Sequence, residues 1–193
     1  VILFDGHTSD KQGAEGMLDG VTVTENRLVS TIFNPILFMS LVTSGFPTHY
    51  ISTYFIENFH HDNGLVRKGG IAKGLLSDVA LDVHLNASTS KDANGFWICY
   101  DNLATEEAVE FCNQVIGLMS DRYFPTRRTY LLPESRDGFA DVCGGECSGI
   151  VLELEFISNE PALHRLLSNR YAAMSNLASA LSTAYRRVYL EVA

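Results

Sequence analysis

Asp78-Val79-Ala80-Leu81-Asp82-Val83-His84-Leu85-Asn86-Ala87-Ser88 is the stretch that decides the fold. From residue 78 to residue 84 it reads as a strand whose apolar character is nearly continuous rather than alternating. A strand of that kind is covered on both faces, which is the habit of parallel sheets flanked by helices. It also ends in a histidine. Two other runs behave alike: Val1-Ile2-Leu3-Phe4-Asp5-Gly6-His7 closes on a histidine, and Gly149-Ile150-Val151-Leu152-Glu153-Leu154-Glu155-Phe156-Ile157-Ser158-Asn159 carries acids inside core-like sequence. Polar, metal-competent residues at the ends of buried strands are where α/β enzymes keep their chemistry.

Working outward, strand-length apolar runs alternate with segments of helical period. This predicts an α/β, three-layer sandwich with a twisted, largely parallel central sheet and helices on both faces, built as one domain over residues 1–193. Residues 1–5 form the first strand and 6–20 a glycine-rich loop. A largely buried helix follows over 25–43, which Pro35 should kink or divide. Further strands are expected over 46–53, 78–84, 95–100 and 129–132, and further helices over 65–76, 105–122, 161–168 and 169–189. Residues 55–63 read as a polar loop, and 133–148 hold too many breakers for a regular element.

The 193 residues are 46% hydrophobic and 19% charged, with a formal net charge of -9. Such a composition belongs to an ordinary globular protein, and no apolar run reaches the length of a bilayer span, so no membrane partner is expected. Only 14 Lys and Arg residues are present, and Arg127-Arg128 and Arg186-Arg187 are mere doublets, which counts against nucleic acid. Cys99 and Cys112 read as buried small hydrophobes. Cys143 and Cys147 suit free thiols or a local disulfide better than structural zinc, because no second ligand pair follows. The chain opens on Val1 with no basic leader, so no export signal is expected.

A hydrolytic zinc site needs about three imidazole or carboxylate ligands, an open position for water and a separate acid/base. His7, Glu25 and His84 can supply the ligands and Glu153 the acid/base. Spacing alone leaves other readings open: strand-end histidines can be structural, Glu25 can be a helix-terminal charge, and Glu153 can be a paired core acid.

The same residues carry a resemblance. Ile2-Leu3-Phe4-Asp5-Gly6-His7, followed by Gly13-Ala14-Glu15-Gly16, resembles the opening of zinc-dependent N-acetylmuramoyl-L-alanine amidases, in which a strand leads to Gly-His and a Gly-Ala-x-Gly loop. Asp82-Val83-His84-Leu85-Asn86-Ala87-Ser88 is similar to that family's strand ending in His-x-Asn-Ala. Val151 to Asn159 resembles its Glu-x-Gly-Phe-x-Ser-Asn signature, with Glu155 in place of the usual glycine. All three motifs fall in family order. The resemblance implies Zn2+ held by His7, Glu25 and His84, with Glu153 as the catalytic acid/base. Strand parity puts residues 153 and 155 on one side, and the offset from Phe156 and Asn159 selects Glu153.

It implies further that peptidoglycan is the substrate, cut at the amide between N-acetylmuramic acid and L-alanine, with action at the bacterial cell wall. Either a phage endolysin or a bacterial autolysin fits. The acidic charge suggests that a separate wall-targeting domain assists. A zinc peptidase cutting the stem peptide, or a wall-binding module without catalysis, are the alternatives. Asn86 is expected to contact substrate or to fix the strand end. Trp97 is core or groove lining, the 133–148 loop is a lid or a surface insertion, and His60-His61-Asp62 is a solvated run. His49 is a strand surface residue, and His164 follows Leu163 on a terminal helix.

Overall fold

The apolar run around Leu81 becomes the long inner strand of a six-stranded sheet. In the computed structural model, which describes residues 1–7, 12–51, 71, 75, 77–100, 104–131 and 148–191, eight strands follow in chain order. They are β1 (Ile2–Asp5), β2 (Glu15–Leu18), β3 (Val21–Thr24), β4 (His49–Ile51), β5 (Val79–Asn86), β6 (Phe96–Tyr100), β7 (Arg127–Leu131) and β8 (Ser148–Phe156). The main sheet has the order β4-β1-β5-β8-β6-β7. Every neighbouring pair in it is parallel except β6 with β8. It is therefore a mixed, largely parallel sheet with helices around it, the architecture expected from the non-alternating strands.

Three long helices lie on one face: α2 (Asn34–Thr43), α3 (Glu106–Leu118) and α5 (Arg170–Tyr185), where α1 (Glu25–Leu28) precedes them and α4 (Glu160–Ser168) leads into α5. Leu3, Leu81, Val83, Ile98, Leu152 and Leu154 on that face pack with Leu37, Phe111, Val115, Met174 and Leu177 from the helices. On the opposite face Ile2, Phe4 and Ala80 are as deeply buried, so a period of two never shows in β1 or β5. Thr105 caps α3, its hydroxyl accepting from Ala108 N–H (3.2 Å), as its place before two acids suggests.

Two local expectations are corrected. Residues 6–20 are not loop throughout, because β2 and β3 pair as an antiparallel hairpin over Glu15–Leu18 and Val21–Thr24. Its turn is Asp19-Gly20, with φ of 51° and 78°, the two left-handed positions that a tight hairpin needs and that Asp-Gly tolerates. The predicted 25–43 helix divides, as Pro35 requires, but it does so through a π-helical turn over Val29–Phe33. Proline has no N–H and its ring crowds the carbonyl four residues back. The wider turn makes room, and Pro35 sits in the first turn of α2. Gly45, at φ 71°, ends the helix.

The expected 55–63 loop, the cluster His60-His61-Asp62, most of the 65–76 helix, and the 133–147 segment with Cys143 and Cys147 lie outside the described residues. Ile71 is helical, and Leu75 N–H donates to its carbonyl (3.0 Å). Among the described residues no helix is long and apolar enough to cross a membrane. Cys99 and Cys112 are buried.

Candidate metal centre

His7, Glu25 and His84 come from three elements that meet at the C-terminal edge of the parallel strands. Gly6 N–H donates to Val83 O (2.9 Å), extending the β1/β5 pairing one residue further and delivering His7 beside β5. The β2/β3 hairpin then folds the chain back, and Glu25 N–H donates to Ala14 O (2.9 Å) as α1 begins. Asn26 donates through Nδ2 to the His7 carbonyl (2.6 Å). One helical turn thereby presents Glu25 and holds the backbone of His7. Deeper in, Asn34 Nδ2 donates to Phe4 O (3.0 Å) and Asp5 Oδ1 (2.7 Å), and Tyr50 Oη donates to Asp5 Oδ1 (3.0 Å). The helix is thus tied to the end of β1 by polar contacts in an otherwise apolar core.

Within the cluster, His84 Nδ1 lies 2.8 Å from Glu25 Oε1, and His7 Nε2 lies 3.2 Å from Glu25 Oε2. One donor atom from each of the three residues falls within 4.8 Å of the others. Donors about 2.1 Å from one ion lie at most about 4.2 Å apart, so a side-chain adjustment of a fraction of an ångström would seat a shared cation. Two imidazoles and one carboxylate are the donor chemistry of a catalytic zinc site. Space is kept for them by glycine. A Cβ on Gly6 would overlap the His84 ring, and one on Gly13, which has φ 73°, would overlap His7 and Glu25.

The electrostatics show what holds this cluster while the side chains face one another. Burial disfavours a charged Glu25, but hydrogen bonds with His7 and His84 and their nearby charge outweigh it and hold the carboxyl well below its ordinary range. Burial likewise disfavours charged His84, yet the carboxylates of Asp82 and Glu25 on either side of the ring push it up to about 10. Glu25 also accepts Ala14 N–H at Oε2 (2.9 Å) and Leu85 N–H at Oε1 (3.0 Å). These two backbone donors aim the carboxylate whatever the protonation of the rings.

Glu153 is the direct cross-strand neighbour of His84 in the β5/β8 pairing, so the two share a face of the sheet. Parity would add Glu155 to that face. It is corrected by a bulge: between His84 and Asn86 the register slips, and Asn86 pairs with Phe156. An extra residue in one strand rotates its side chain off the regular alternation. Glu155 instead accepts Gly95 N–H (2.5 Å) and Phe156 N–H (3.0 Å) and pairs with Arg165 Nη2 (3.1 Å). It is a paired buried acid, and Glu153 is the one beside the histidines.

Asn86 ends β5 half-buried, its Oδ1 accepting Ala87 N–H (2.8 Å) and its carbonyl accepting Ile157 N–H (2.8 Å). Trp97 is neither fully core nor free: half-buried, it contacts the rings of Phe156 and Tyr130. His49 and His164 are exposed. Sequence reading passed over Asp82, whose Oδ2 is 3.6 Å from His84 Nε2. Its signal was available, since Asp82 and His84 are two apart in a strand and so share a face. Asn26 had no such signal, because its partner is a backbone carbonyl.

The sequence matches no family model, and none of the curated proteins compared with it matches. Solved structures do share the fold. The catalytic domain of the CD27L endolysin, which targets Clostridia difficile, is 14% identical with a TM-score of 0.74, over 93% of this chain and 94% of that one. The catalytic domain of CwlV, an N-acetylmuramoyl-L-alanine amidase from Bacillus (Paenibacillus) polymyxa var. colistinus, is 18% identical with a TM-score of 0.69, over 100% and 98%. Cwp6 from Clostridium difficile is 15% identical with a TM-score of 0.72, and the chain spans only 29% of its length. At these identities the likeness is one of fold, and it is the fold of the family that the three motifs resemble.

Proposed function

We propose that this chain is a zinc-dependent N-acetylmuramoyl-L-alanine amidase, with residues 1–193 as its catalytic domain and peptidoglycan of the bacterial cell wall as its substrate. The observation that carries the reading is the meeting of His7, Glu25 and His84 at one strand edge with Glu153 in register beside His84. Solved N-acetylmuramoyl-L-alanine amidases of the same fold support it. His7, Glu25 and His84 would hold the ion. When bound, Zn2+ supplies a Lewis acid that lowers the pKa of water and draws charge from a carbonyl oxygen.

The chain's own residues supply the rest. Glu153 takes the proton of the attacking water as its oxygen bonds to the lactyl carbonyl carbon of N-acetylmuramic acid. It returns that proton to the L-alanine nitrogen as the C–N bond breaks. The products are a carboxylate on the glycan and a free amino terminus on the stem peptide. Asp82 orients His84 from its far ring nitrogen, the usual duty of a carboxylate behind a ligating histidine. Asn86, at the end of β5 just past His84, contacts substrate, and a separate wall-targeting domain would offset the repulsion between an acidic protein and an anionic wall.

The test is Glu153→Gln in zinc-loaded protein, read by metal analysis and by mass spectrometry of digested peptidoglycan. The variant should keep its zinc and stop releasing stems that begin with free L-alanine from uncut glycan. Wild-type cleavage within the stem would make the chain a peptidase instead. Wall binding by the wild type with no hydrolysis would make it a binding module.

A further inference from the structure

We infer that Arg128, whose guanidinium carbon lies over the Trp97 ring, recognises a free carboxylate on the peptide side of the scissile amide. This deepens the amidase reading and rests on it. The register of four strands makes one row across the sheet: His84 pairs with Glu153, Glu153 with Trp97, and Trp97 with Arg128. Cross-strand neighbours share a face, so all four side chains rise on the side of the sheet that bears the candidate metal centre.

Adjacent strands lie about 4.8 Å apart, which puts the Arg128 backbone two strands beyond Glu153. Its guanidinium leans back. Cζ of Arg128 is 3.6 Å from the centroid of the Trp97 ring and 5.4 Å from that of Tyr130, and the two rings are 5.2 Å apart. The charge therefore sits over the strand next to Glu153, about one strand spacing away.

Stacking holds a guanidinium by its faces and leaves the N–H donors around its rim for a planar anion. Arg128 is exposed, and among the described residues no carboxylate pairs with it. Arg127, one residue earlier, is spent on the protein: its Nε donates to Ile116 O (2.8 Å), and its Nη1 donates to Phe124 O (3.1 Å) and pairs with Asp121. In a chain of net charge -9, a pre-oriented cation one strand from the acid/base selects for an anion.

The glycan side of the scissile bond offers none, since its sugars are N-acetylated and the lactyl carboxyl is consumed in the amide. On the peptide side, L-alanine is followed by D-glutamate joined through its side-chain carboxyl, which leaves the α-carboxylate free. Two extended residues span up to about 7 Å, long enough to cover the single strand spacing of about 4.8 Å between Glu153 and the guanidinium. Arg128 already covers one face of the Trp97 ring, and the Tyr130 and Phe156 rings lie against it, which leaves less of the ring for a sugar and favours the peptide.

The experiment compares two soluble substrates that differ only in that group, N-acetylmuramoyl-L-alanyl-D-glutamate and its D-isoglutamine counterpart, each with the side-chain carboxyl blocked as an N-methylamide in place of the wall's own linkage. The zinc-loaded wild type, Arg128→Ala, Arg128→Lys and, as a second cation to compare, Lys91→Ala at the exposed lysine between β5 and β6 are each assayed for kcat/KM. The wild type should favour the carboxylate by about tenfold or more, chiefly through KM, as a charge-assisted bidentate contact does. Arg128→Ala should bring that ratio close to one, and Arg128→Lys should restore only part of it, because lysine keeps the charge and loses the flat fork. A wild type indifferent to the carboxylate, an equal loss on both substrates in Arg128→Ala, or loss of the preference in Lys91→Ala instead would overturn the assignment while leaving the amidase standing. Cleavage of neither substrate by the wild type would overturn both.

Discussion

Glu25→Gln isolates the part of the cluster on which everything else leans. The carboxylate accepts a backbone N–H at each oxygen, Leu85 at Oε1 and Ala14 at Oε2, and each oxygen also faces a histidine. Glutamine has the same shape but only one acceptor oxygen. Whichever way its amide turns, one of the two backbone donors meets an NH2 group, and a buried donor left unsatisfied costs about 1–3 kcal/mol. The ion pair with buried His84 is lost as well, so the metal-free protein should be destabilised by roughly 2–4 kcal/mol in total. For the ion the loss is larger. Removing only a partner behind a ligand costs about 10–100-fold in metal affinity, and replacing a ligand should exceed about 100-fold. Zinc affinity measured by competition with a chromophoric chelator, and urea denaturation in the presence of EDTA, read the two effects separately. Wild-type zinc affinity in the variant would refute the ligand set. Unchanged stability of the chelated variant would refute the hydrogen-bonding account.

Two further outcomes are expected. In the chelated protein, the stability held in the Glu25 and His84 contacts should be greatest between the ordinary carboxylate and histidine pKa values of 4.5 and 6.5. Glu25's depressed pKa makes its share vanish as pH falls below that window, and the raised pKa of His84 makes its share drain away as pH rises towards about 10; equal denaturation midpoints at about pH 6 and about pH 9.5 would contradict this. Arg165→Ala should leave Glu155 buried without its cation and destabilise the protein by about 1–3 kcal/mol, a range discounted because the arginine is half exposed. Glu155→Gly with Arg165→Ala should recover part of that loss in thermal melts, and a double variant no better than the single one would argue against the pairing.

How far the sequence could be read depended on the range of the interaction that decides each feature. The sheet was legible because burial on two faces leaves a one-dimensional trace in residues 1–5 and 78–84, and α3 was legible because its cap and first-turn acids are neighbours in the chain. The hairpin was legible in principle, since Asp19-Gly20 is a turn signal, but the run of glycines around it reads as loop. The division of the helix at Pro35 was foreseeable, whereas the π turn that accommodates it is a packing solution.

The sequence by itself determined which side chains could do chemistry. His7, Glu25, His84 and Glu153 stand out because charged or metal-competent groups at the ends of apolar strands cost too much to bury without a purpose. Only the tertiary structure decided how they are used. The bulge opposite His84 and Asn86 turns Glu155 to Arg165 and leaves Glu153 beside the histidine, and no count of residues along β8 reveals it because it arises from mismatch with another strand. The row from His84 to Arg128 is likewise invisible in the chain, where its members are up to 69 residues apart, from residue 84 to residue 153. Strand order and register, set by packing across the whole sheet, put them side by side.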